Sequence, residues 1–437
     1  MGDLPLIQRL VQRPAQPEVT DPQAAVAGEL DRIQLADRLR PGARVAIAVG
    51  SRGIANLVPI VRATVEYVRR AGAEPFIVAA MGSHGGATGE GQRALLAELG
   101  VREDTVGAPI RTEMEAECIG TNDHGLPVFW DRNALAADAV LTVSRIKPHT
   151  DFRSRYESGI VKMLVVGLGK RDGATQIHRY GARGLRTLLE SSVRVILEKT
   201  PFLAGIALVE NFYDRTALVQ AVRREELLEL EPKLLEQARR LMATLPFEEL
   251  DVLVIGELGK NYSGCGIDPN VIGRMYIAGE PEFERPRIAR IVVLELAPES
   301  HGNATGIGLA DFITDRLLRA MERRPTEINA MVSTFVERAR VPLSFPTDRD
   351  AIMAALQTCW QPEPSRVRLA IIPNTLQLAE LWATPAACDQ PLPDYVEIDR
   401  QPRPIPFDDG QNLVQEVLFP HSWRAYRAKG VLLTAGH

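Results

Sequence analysis

The sequence predicts an α/β protein with two α/β domains and an active-site cleft between them. Its 437 residues suit two or three domains of ordinary size. Short apolar segments alternate with amphipathic ones, which is typical of strands and helices that build a largely parallel sheet. Hydrophobic residues make up 45% and charged residues 24%, which indicates a globular chain with buried cores.

The first domain is predicted from a series of apolar segments. Residues 1–40 predict an irregular arm with one helix. The strands are then predicted at residues 44–50, 75–81, 138–145 and 203–211. Helices are predicted around residues 57–65, 92–99 and 183–200. The charged helical run at residues 223–245 predicts a connector whose leucine stripe serves packing.

A second α/β unit follows the connector. Its strands are predicted at residues 251–259, 290–296 and 366–374, with helices near 308–322 and 326–338. A Pro-rich tail at residues 391–406 leads to an apolar run at 430–435. We therefore expect domains at residues 1–246 and 247–437, with the last ~40 residues able to return to the first domain.

Charge and composition exclude several classes of function. The net charge of −5 gives no basic field for nucleic acid or acidic lipid. The sequence has neither a membrane-spanning apolar run nor a signal-peptide pattern. The four cysteines are widely spaced, as expected of reduced thiols in a cytoplasmic protein.

The chemistry is concentrated between Ser144 and Gly181. His149 and His178 lie in this segment, with Lys162 between them in an apolar context. A lysine in apolar surroundings loses part of its preference for the charged form, so its amine can act as a nucleophile or covalent anchor. Polar loops after the earlier predicted strands place Arg52 and His84 at the carboxyl edge of the sheet, where ligands bind in α/β proteins.

These motifs resemble the nickel-dependent lactate racemase superfamily. The resemblance is carried by His84 in MGSHGGAT, His149 in KPHTDF, Lys162 in SGIVKM and His178 in IHRYG. It extends over residues 44–181 and, more loosely, over the second domain. It implies an isomerase, a racemase or epimerase of a 2-hydroxy acid, with His84 and His149 as the catalytic acid and base. A nickel-pincer nucleotide would be attached covalently to Lys162, with His178 as the nickel ligand.

The resemblance also implies anion contacts in the first domain. Arg52 resembles the family arginine near cofactor and substrate, and a guanidinium binds carboxylate or phosphate through two hydrogen bonds. The family has an aspartate three positions earlier, where this chain has Val49. Lys147, Gly82 and Ser83 are further candidates for cofactor binding, the last two in a loop whose N–H groups suit a phosphate.

The second domain is expected to cap the substrate, while the first binds the cofactor and catalyses the reaction. Lys260, Arg274 and His301 lie in polar loops and are the candidate substrate contacts. The family also has a tryptophan in this domain that finds no match in these loops. This departure suggests a 2-hydroxy acid other than lactate.

Two other functions stay open from the sequence. The three histidines suit a divalent metal bound directly by the protein, for a hydrolase or lyase. A non-enzymatic homologue that binds a ligand is the other alternative. The racemase interpretation implies a small-molecule substrate and cofactor-biosynthesis enzymes as partners, and the sequence patterns specify no oligomeric state.

Overall fold

The computed structural model describes residues 4–428, which divide into two compact units. One unit comprises residues 16–242, and the other comprises residues 4–15 together with 243–428. A six-stranded sheet lies in the first and an eight-stranded sheet in the second, which confirms the predicted α/β class. No helix between residues 4 and 428 is both long and apolar enough to cross a membrane.

The elements are numbered along the chain. The strands are β1 Ile7–Gln12, β2 Arg44–Val49, β3 Glu74–Ala79, β4 Ile110–Arg111, β5 Ala116–Thr121, β6 Pro127–Asp131, β7 Ala139–Arg145, β8 Phe202–Glu210, β9 Thr216–Arg223, β10 Glu249–Leu258, β11 Arg287–Leu296, β12 Phe312–Thr314, β13 Leu343–Phe345, β14 Leu369–Ile372, β15 Glu380–Ala383 and β16 Val396–Arg403. The α-helices are α1 Pro22–Arg32, α2 Leu57–Arg70, α3 Gly89–Glu98, α4 Glu103–Val106, α5 Arg132–Leu135, α6 Ile160–Lys162, α7 Lys170–His178, α8 Gly181–Lys199, α9 Leu227–Leu241, α10 Pro269–Ile272, α11 Asp315–Ala320, α12 Arg323–Ser333, α13 Asp348–Thr358, α14 Pro385–Cys388, α15 Gln415–Leu418 and α16 Trp423–Ala428.

The sheet of the unit at residues 16–242 has the strand order β4-β3-β2-β7-β8-β9. All neighbouring strands are parallel except β8 and β9, which form an antiparallel pair. The central strand β2 is buried from Val45 to Val49, as expected where helices cover both faces of a parallel sheet. Its apolar run is continuous for this reason, and this run is what predicts it from the sequence.

The carboxyl ends of β2, β3 and β7 are aligned. Val49 lies opposite Ala79 on one side and Val143 on the other. The loops that follow these strands therefore leave the sheet at one edge, and the loop after the parallel strand β8 joins them there. This alignment brings residues that are more than a hundred positions apart in the sequence to one edge of the sheet.

The other unit has the strand order β13-β12-β11-β10-β14-β15-β1-β16. The first five strands are parallel, and β15, β1 and β16 extend the sheet in antiparallel fashion. Strand β1 comes from the part of the sequence expected to be an irregular arm, because its short mixed pattern gives little strand signal. Strand β16 pairs with it, so the described part of the tail belongs to this unit. The apolar run at 430–435 lies outside the described residues.

Candidate active site

Lys162 ends a short helical turn that continues into an irregular one. Helix α6 leads into a π-helix at Met163–Gly167, where the N–H of Leu168 donates to the carbonyl of Met163 at 2.8 Å. The buried indole of Trp130 donates to the carbonyl of Leu164 at 3.1 Å, which satisfies a group inside this wider turn. π-Helical turns are rare in proteins, and those that occur often lie at functional sites. Here the turn immediately follows Lys162.

The amine of Lys162 contacts Nε2 of His149. Nδ1 of His149 accepts the backbone N–H of Asp151 at 3.1 Å, so the proton of the neutral imidazole is assigned to Nε2. An Nε2–H group that faces the amine requires an amine with a free lone pair. Desolvation by the surrounding protein, assisted by the charge of Arg52 and opposed by Asp151, lowers the pKa of Lys162 to about 8. The amine of Lys162 therefore loses its proton far more readily than a free lysine does, which favours its use as a nucleophile.

The loop that carries His149 is built around the buried carboxylate of Glu157. This carboxylate accepts the N–H of His149 at 2.6 Å and the N–H of Ser154 at 3.0 Å, and it pairs with Arg239 at 2.6 Å. The imidazole of His149 also packs on the ring of Phe152, with 4.5 Å between ring centroids. Desolvation, followed by the charges of Lys162 and His178, holds the pKa of His149 well below its usual value.

His84 lies in the glycine-rich loop after β3. Its Nδ1 lies 2.7 Å from the carbonyl of Met81, which assigns the proton to Nδ1 and leaves the lone pair on Nε2. Nη2 of Arg52 lies 3.4 Å from that Nε2. Desolvation and the charge of Arg52 lower the pKa of His84 to about 3. His84 therefore presents a proton-accepting nitrogen, whereas His149 presents a proton-donating one.

Glycines shape the His84 loop. Gly85 has φ +65°, and a Cβ atom there would lie 2.4 Å from the carbonyl carbon of Gly91. Gly82 donates its N–H to the carbonyl of Gly167 at 3.0 Å, which joins this loop to the π-helical turn after Lys162. Ser83 follows Gly82 in the same loop, so both predicted cofactor-binding residues lie next to His84.

Arg52 lies in the loop after β2. Glu210, at the end of β8, accepts the N–H of Ala55 at 2.7 Å and pairs with Arg145 at 2.5 Å. Glu210 thus fixes the loop that carries Arg52. Desolvation and the nearby positive charge of Arg145 lower the pKa of Arg52, which remains a cation at neutral pH.

His178 is the last residue of α7. Within residues 4–428, no hydrogen-bond partner reaches its buried Nδ1. Desolvation, followed by the charge of Lys162, lowers the pKa of His178 to about 4, so the imidazole is neutral. A neutral imidazole with a free, buried nitrogen suits a metal ligand. Its residue type and its unused nitrogen therefore fit the nickel ligand that the resemblance implies.

The three histidines do not form a protein-only metal site. Among the residues that the structure describes, no group of three His, Cys, Asp or Glu side chains is arranged to hold a metal ion. A metal at His178 would take its remaining ligands from a bound molecule. The described residues thus do not supply the set of protein ligands that the directly bound metal would require.

Helix α7 is anchored at its start by a buried lysine. Lys170 is fully buried, has φ +52°, and pairs with Asp131 at 2.9 Å. Its amine also donates to the carbonyl of Ala79 at the end of β3. The position of His178, eight residues further on, is thus tied to the carboxyl edge of the sheet.

Lys147 lies at the margin of the site. Its backbone forms a bridge with Ser158, and its charge acts on Asp214 in the turn after β8. Desolvation and the charge of Glu210 raise the pKa of Asp214 to about 8, against the opposing effect of Lys147. The structure therefore brings Arg52, His84, His149, Lys162 and His178 together, with Lys147 farther along the same edge of the sheet.

The candidates in the other unit have different surroundings. Arg274 is 6% exposed and pairs with Asp311 at 2.9 Å, so its guanidinium is used inside its own unit. The amine of Lys260 donates to the carbonyl of Gly264 at 2.8 Å. The backbone N–H of Lys260 donates to Ser300, which places Lys260 beside the turn that carries the exposed His301. Lys260 and His301 are thus neighbours, and Arg274 faces the interior.

Several site residues were missed by reasoning from the sequence. Asp151 and Glu157 lie within the singled-out segment, where their acidic side chains beside His149 were a usable signal. Glu231 lies on the predicted connector, in the buried leucine stripe of α9 between Leu227 and Leu235. A glutamate at a buried helical position is rare unless it has a partner, and this signal could have identified Glu231.

Fold and site define an α/β protein that presents a reactive amine, three neutral imidazoles and a guanidinium at the carboxyl edge of a parallel sheet. Residues 6–184 match the family described as Lactate racemase N-terminal domain.

A solved structure of the lactate racemase apoprotein from Thermoanaerobacterium thermosaccharolyticum is similar in fold. The TM-score is 0.51 at 14% sequence identity, and the match covers 83% of this chain and 93% of the other. At this identity the likeness establishes the fold alone. A comparison with curated proteins finds no significant match.

Proposed function

We propose that the protein is a racemase or epimerase of a 2-hydroxy acid, with a nickel-pincer nucleotide attached to Lys162. The observation that carries the proposal is the contact of Lys162 with His149, together with the unused Nδ1 of His178. An amine with a lowered pKa suits covalent attachment, and a free imidazole nitrogen suits nickel. The match of residues 6–184 to the family described as Lactate racemase N-terminal domain supports the same function.

Different residues of the chain would bind different parts of the cofactor. Lys162 would hold the cofactor covalently, and His178 would bind its nickel. Gly82, Ser83 and Lys147 would contact its polar groups. When bound, the cofactor supplies a reversible hydride acceptor for the carbon that carries the substrate hydroxyl.

Proton transfer falls to His84 and His149. Racemisation interconverts two enantiomers, so the hydroxyl proton must be accepted on either side of the substrate. Nε2 of His84 has a free lone pair, and Nε2 of His149 carries a proton, so one imidazole accepts while the other donates. Both histidines have lowered pKa values and are neutral at pH 7, which keeps them available as bases. The guanidinium of Arg52 would hold the substrate carboxylate.

Substrate choice is assigned to the unit that contains residues 243–428. Lys260 and the exposed His301 are its candidate contacts, because they lie in neighbouring loops. Arg274, paired with Asp311, would support the loop instead of binding substrate. The unmatched tryptophan favours a 2-hydroxy acid with a side chain other than that of lactate.

A chiral assay tests the proposal. The protein is co-expressed with cofactor-biosynthesis enzymes, and single enantiomers of a panel of 2-hydroxy acids, lactate included, are followed by chiral chromatography. We expect racemisation of at least one member and its loss in the His84→Ala and His149→Ala variants. A lactate racemase prepared from the same cells is the positive control. The proposal would be contradicted if the control enzyme racemises its substrate while this protein racemises neither enantiomer of any member of the panel.

A further inference from the structure

Helix α9 contacts both chemical segments of the site. We infer that α9 is a positioning element, in which Glu231 fixes the turn that carries Lys162 and Arg239 fixes, through Glu157, the loop that carries His149. The inference deepens the proposed function and rests on it for the role of Lys162. Helix α9 is the segment that the sequence presents as a connector.

Glu231 reaches the start of the lysine turn. Its side chain is 1% exposed, and its Oε2 accepts the N–H of Val161 at 3.0 Å, one residue before Lys162. The N–H of Ile160 lies close enough to the same carboxyl group to lower its pKa. These are the first N–H groups of helix α6, which have no partner within the helix. The carboxyl group therefore sets where the lysine turn begins.

The absence of a side chain at Gly159 makes room for the Glu231 carboxyl group. A Cβ atom at position 159 would lie 2.6 Å from Oε1 of Glu231, closer than real Cβ atoms approach an oxygen. The backbone of Gly159 is extended, with φ 174°, a conformation open to any residue. The glycine is thus required by the close approach of the Glu231 carboxyl group and not by its own backbone conformation.

Arg239 provides the second contact. Its guanidinium pairs with Oε1 of Glu157 at 2.6 Å, and Oε2 of Glu157 accepts the N–H of His149 at 2.6 Å. Glu157 is fully buried, and its carboxylate pairs with Arg239 at 2.6 Å and more loosely with Arg153 at 3.5 Å, so Arg239 is its closer cation. The position of His149 therefore depends on a residue of α9 through one intermediate carboxylate.

The contacts of Glu231 and Arg239 together position the Lys162 amine against Nε2 of His149. Glu231 and Arg239 are eight residues apart, which is about 12 Å along a helix. From these points they hold the two segments so that the Lys162 amine meets Nε2 of His149. A purely packing role would favour leucine at position 231, as at Leu227 and Leu235 in the same stripe. Burial instead raises the pKa of Glu231 to about 8, a penalty that packing alone does not require.

The experiment measures the reactivity of Lys162 in the full chain without cofactor. The protein is reductively methylated with formaldehyde and cyanoborohydride at pH 8, and peptide mass spectrometry gives the labelling ratio of Lys162 to the exposed Lys199. In Glu231→Leu the turn loses its anchor and water reaches the amine, so its pKa returns toward 10.5. We expect the ratio to fall at least about fivefold, since far less amine is then neutral at pH 8.

Matched variants separate positioning from stability. Glu231→Gln keeps an acceptor at the position of Oε2, so its ratio should stay within about twofold of wild type. Leu235→Ala removes core packing from the same helix, and we expect a lower Tm with an unchanged ratio. Arg239→Met should lower the ratio, because the His149 imidazole leaves the amine. Where Glu231→Leu fails to fold, Gly159→Ala serves instead, since its Cβ displaces the Glu231 carboxyl group.

The outcomes decide the inference independently of the proposed function. An unchanged ratio in folded Glu231→Leu, or an equal loss in Leu235→Ala, would overturn the positioning role of α9. If wild type takes up no cofactor while the labelling ratios change as expected, the proposed function fails and the positioning role stands. If wild type racemises a 2-hydroxy acid and the labelling ratios do not change, the proposed function stands and the positioning role of α9 fails.

Discussion

Replacing Lys162 by methionine is expected to stabilise the fold at pH 7. The structure surrounds the amine with protein, and desolvation lowers its pKa from 10.5 to about 8. A base whose pKa is lowered by folding destabilises the native state at any pH where the amine is protonated in the unfolded chain. Methionine fills a similar volume without a charge, so Lys162→Met removes this penalty.

The size of the effect follows from the pKa. A lowering from 10.5 to about 8 corresponds to at most about 3 kcal/mol of unfolding free energy below pH 8. Between pH 8 and pH 10.5 the unfolded chain binds more protons than the native state, so wild-type stability rises with pH in this window. The advantage of Lys162→Met should therefore shrink by about 2 kcal/mol between pH 7 and pH 9.5.

Urea unfolding followed by circular dichroism at pH 7 and pH 9.5 measures both quantities. Lys170→Met is the contrasting variant, because Lys170 is paired with the buried Asp131. Its removal leaves an unpaired buried carboxylate and should destabilise the fold by about 3 to 5 kcal/mol. A Lys162→Met protein that is less stable than wild type at pH 7, or whose advantage is the same at both pH values, would refute the reasoning.

Two further predictions concern protonation. Because the pKa of His84 is lowered to about 3, its ring NMR signals should stay constant from pH 8 to pH 5. The free energy of unfolding should fall as the pH falls from 6.5 towards 3, since only the unfolded chain then protonates this imidazole. An NMR titration of the ring with a midpoint near pH 6.5 would contradict the geometry. The pKa of Glu231, raised from 4.5 to about 8, predicts that wild type loses stability relative to Glu231→Gln as the pH rises from 4.5 to 8. Parallel urea titrations of the two proteins check this, and a constant difference would contradict a raised pKa.

The sequence predicts the parts of the fold whose signal is local. Strands β2, β3, β7 and β8 are buried on both faces and appear as continuous apolar runs. Because parallel strands end at one edge, the same runs also predict that the loops with Arg52, His84 and His149 meet. Strands β1 and β16 give no such signal, because polar and charged residues interrupt their apolar ones.

The support of the site is the part that local patterns do not reveal. The π-helical turn after Lys162 depends on an indole donor from Trp130 and on close contact with the His84 loop. Arg274 looks available for substrate in its loop sequence, but its partner Asp311 lies 37 residues further on. Such pairings depend on tertiary contacts. Glu231 was also missed, although a glutamate within a leucine stripe is a local sign of a buried carboxyl group that needs a partner.

The central claim is that Lys162 holds a nickel-pincer nucleotide, and the most direct test is the mass of the Lys162 peptide. The protein and its Lys162→Ala variant are co-expressed with cofactor-biosynthesis enzymes, beside a lactate racemase as positive control. We expect an adduct on Lys162 of wild type that matches the control and an unmodified Lys162→Ala protein. An unmodified Lys162 beside a modified control, or an adduct that persists in Lys162→Ala, would contradict the claim.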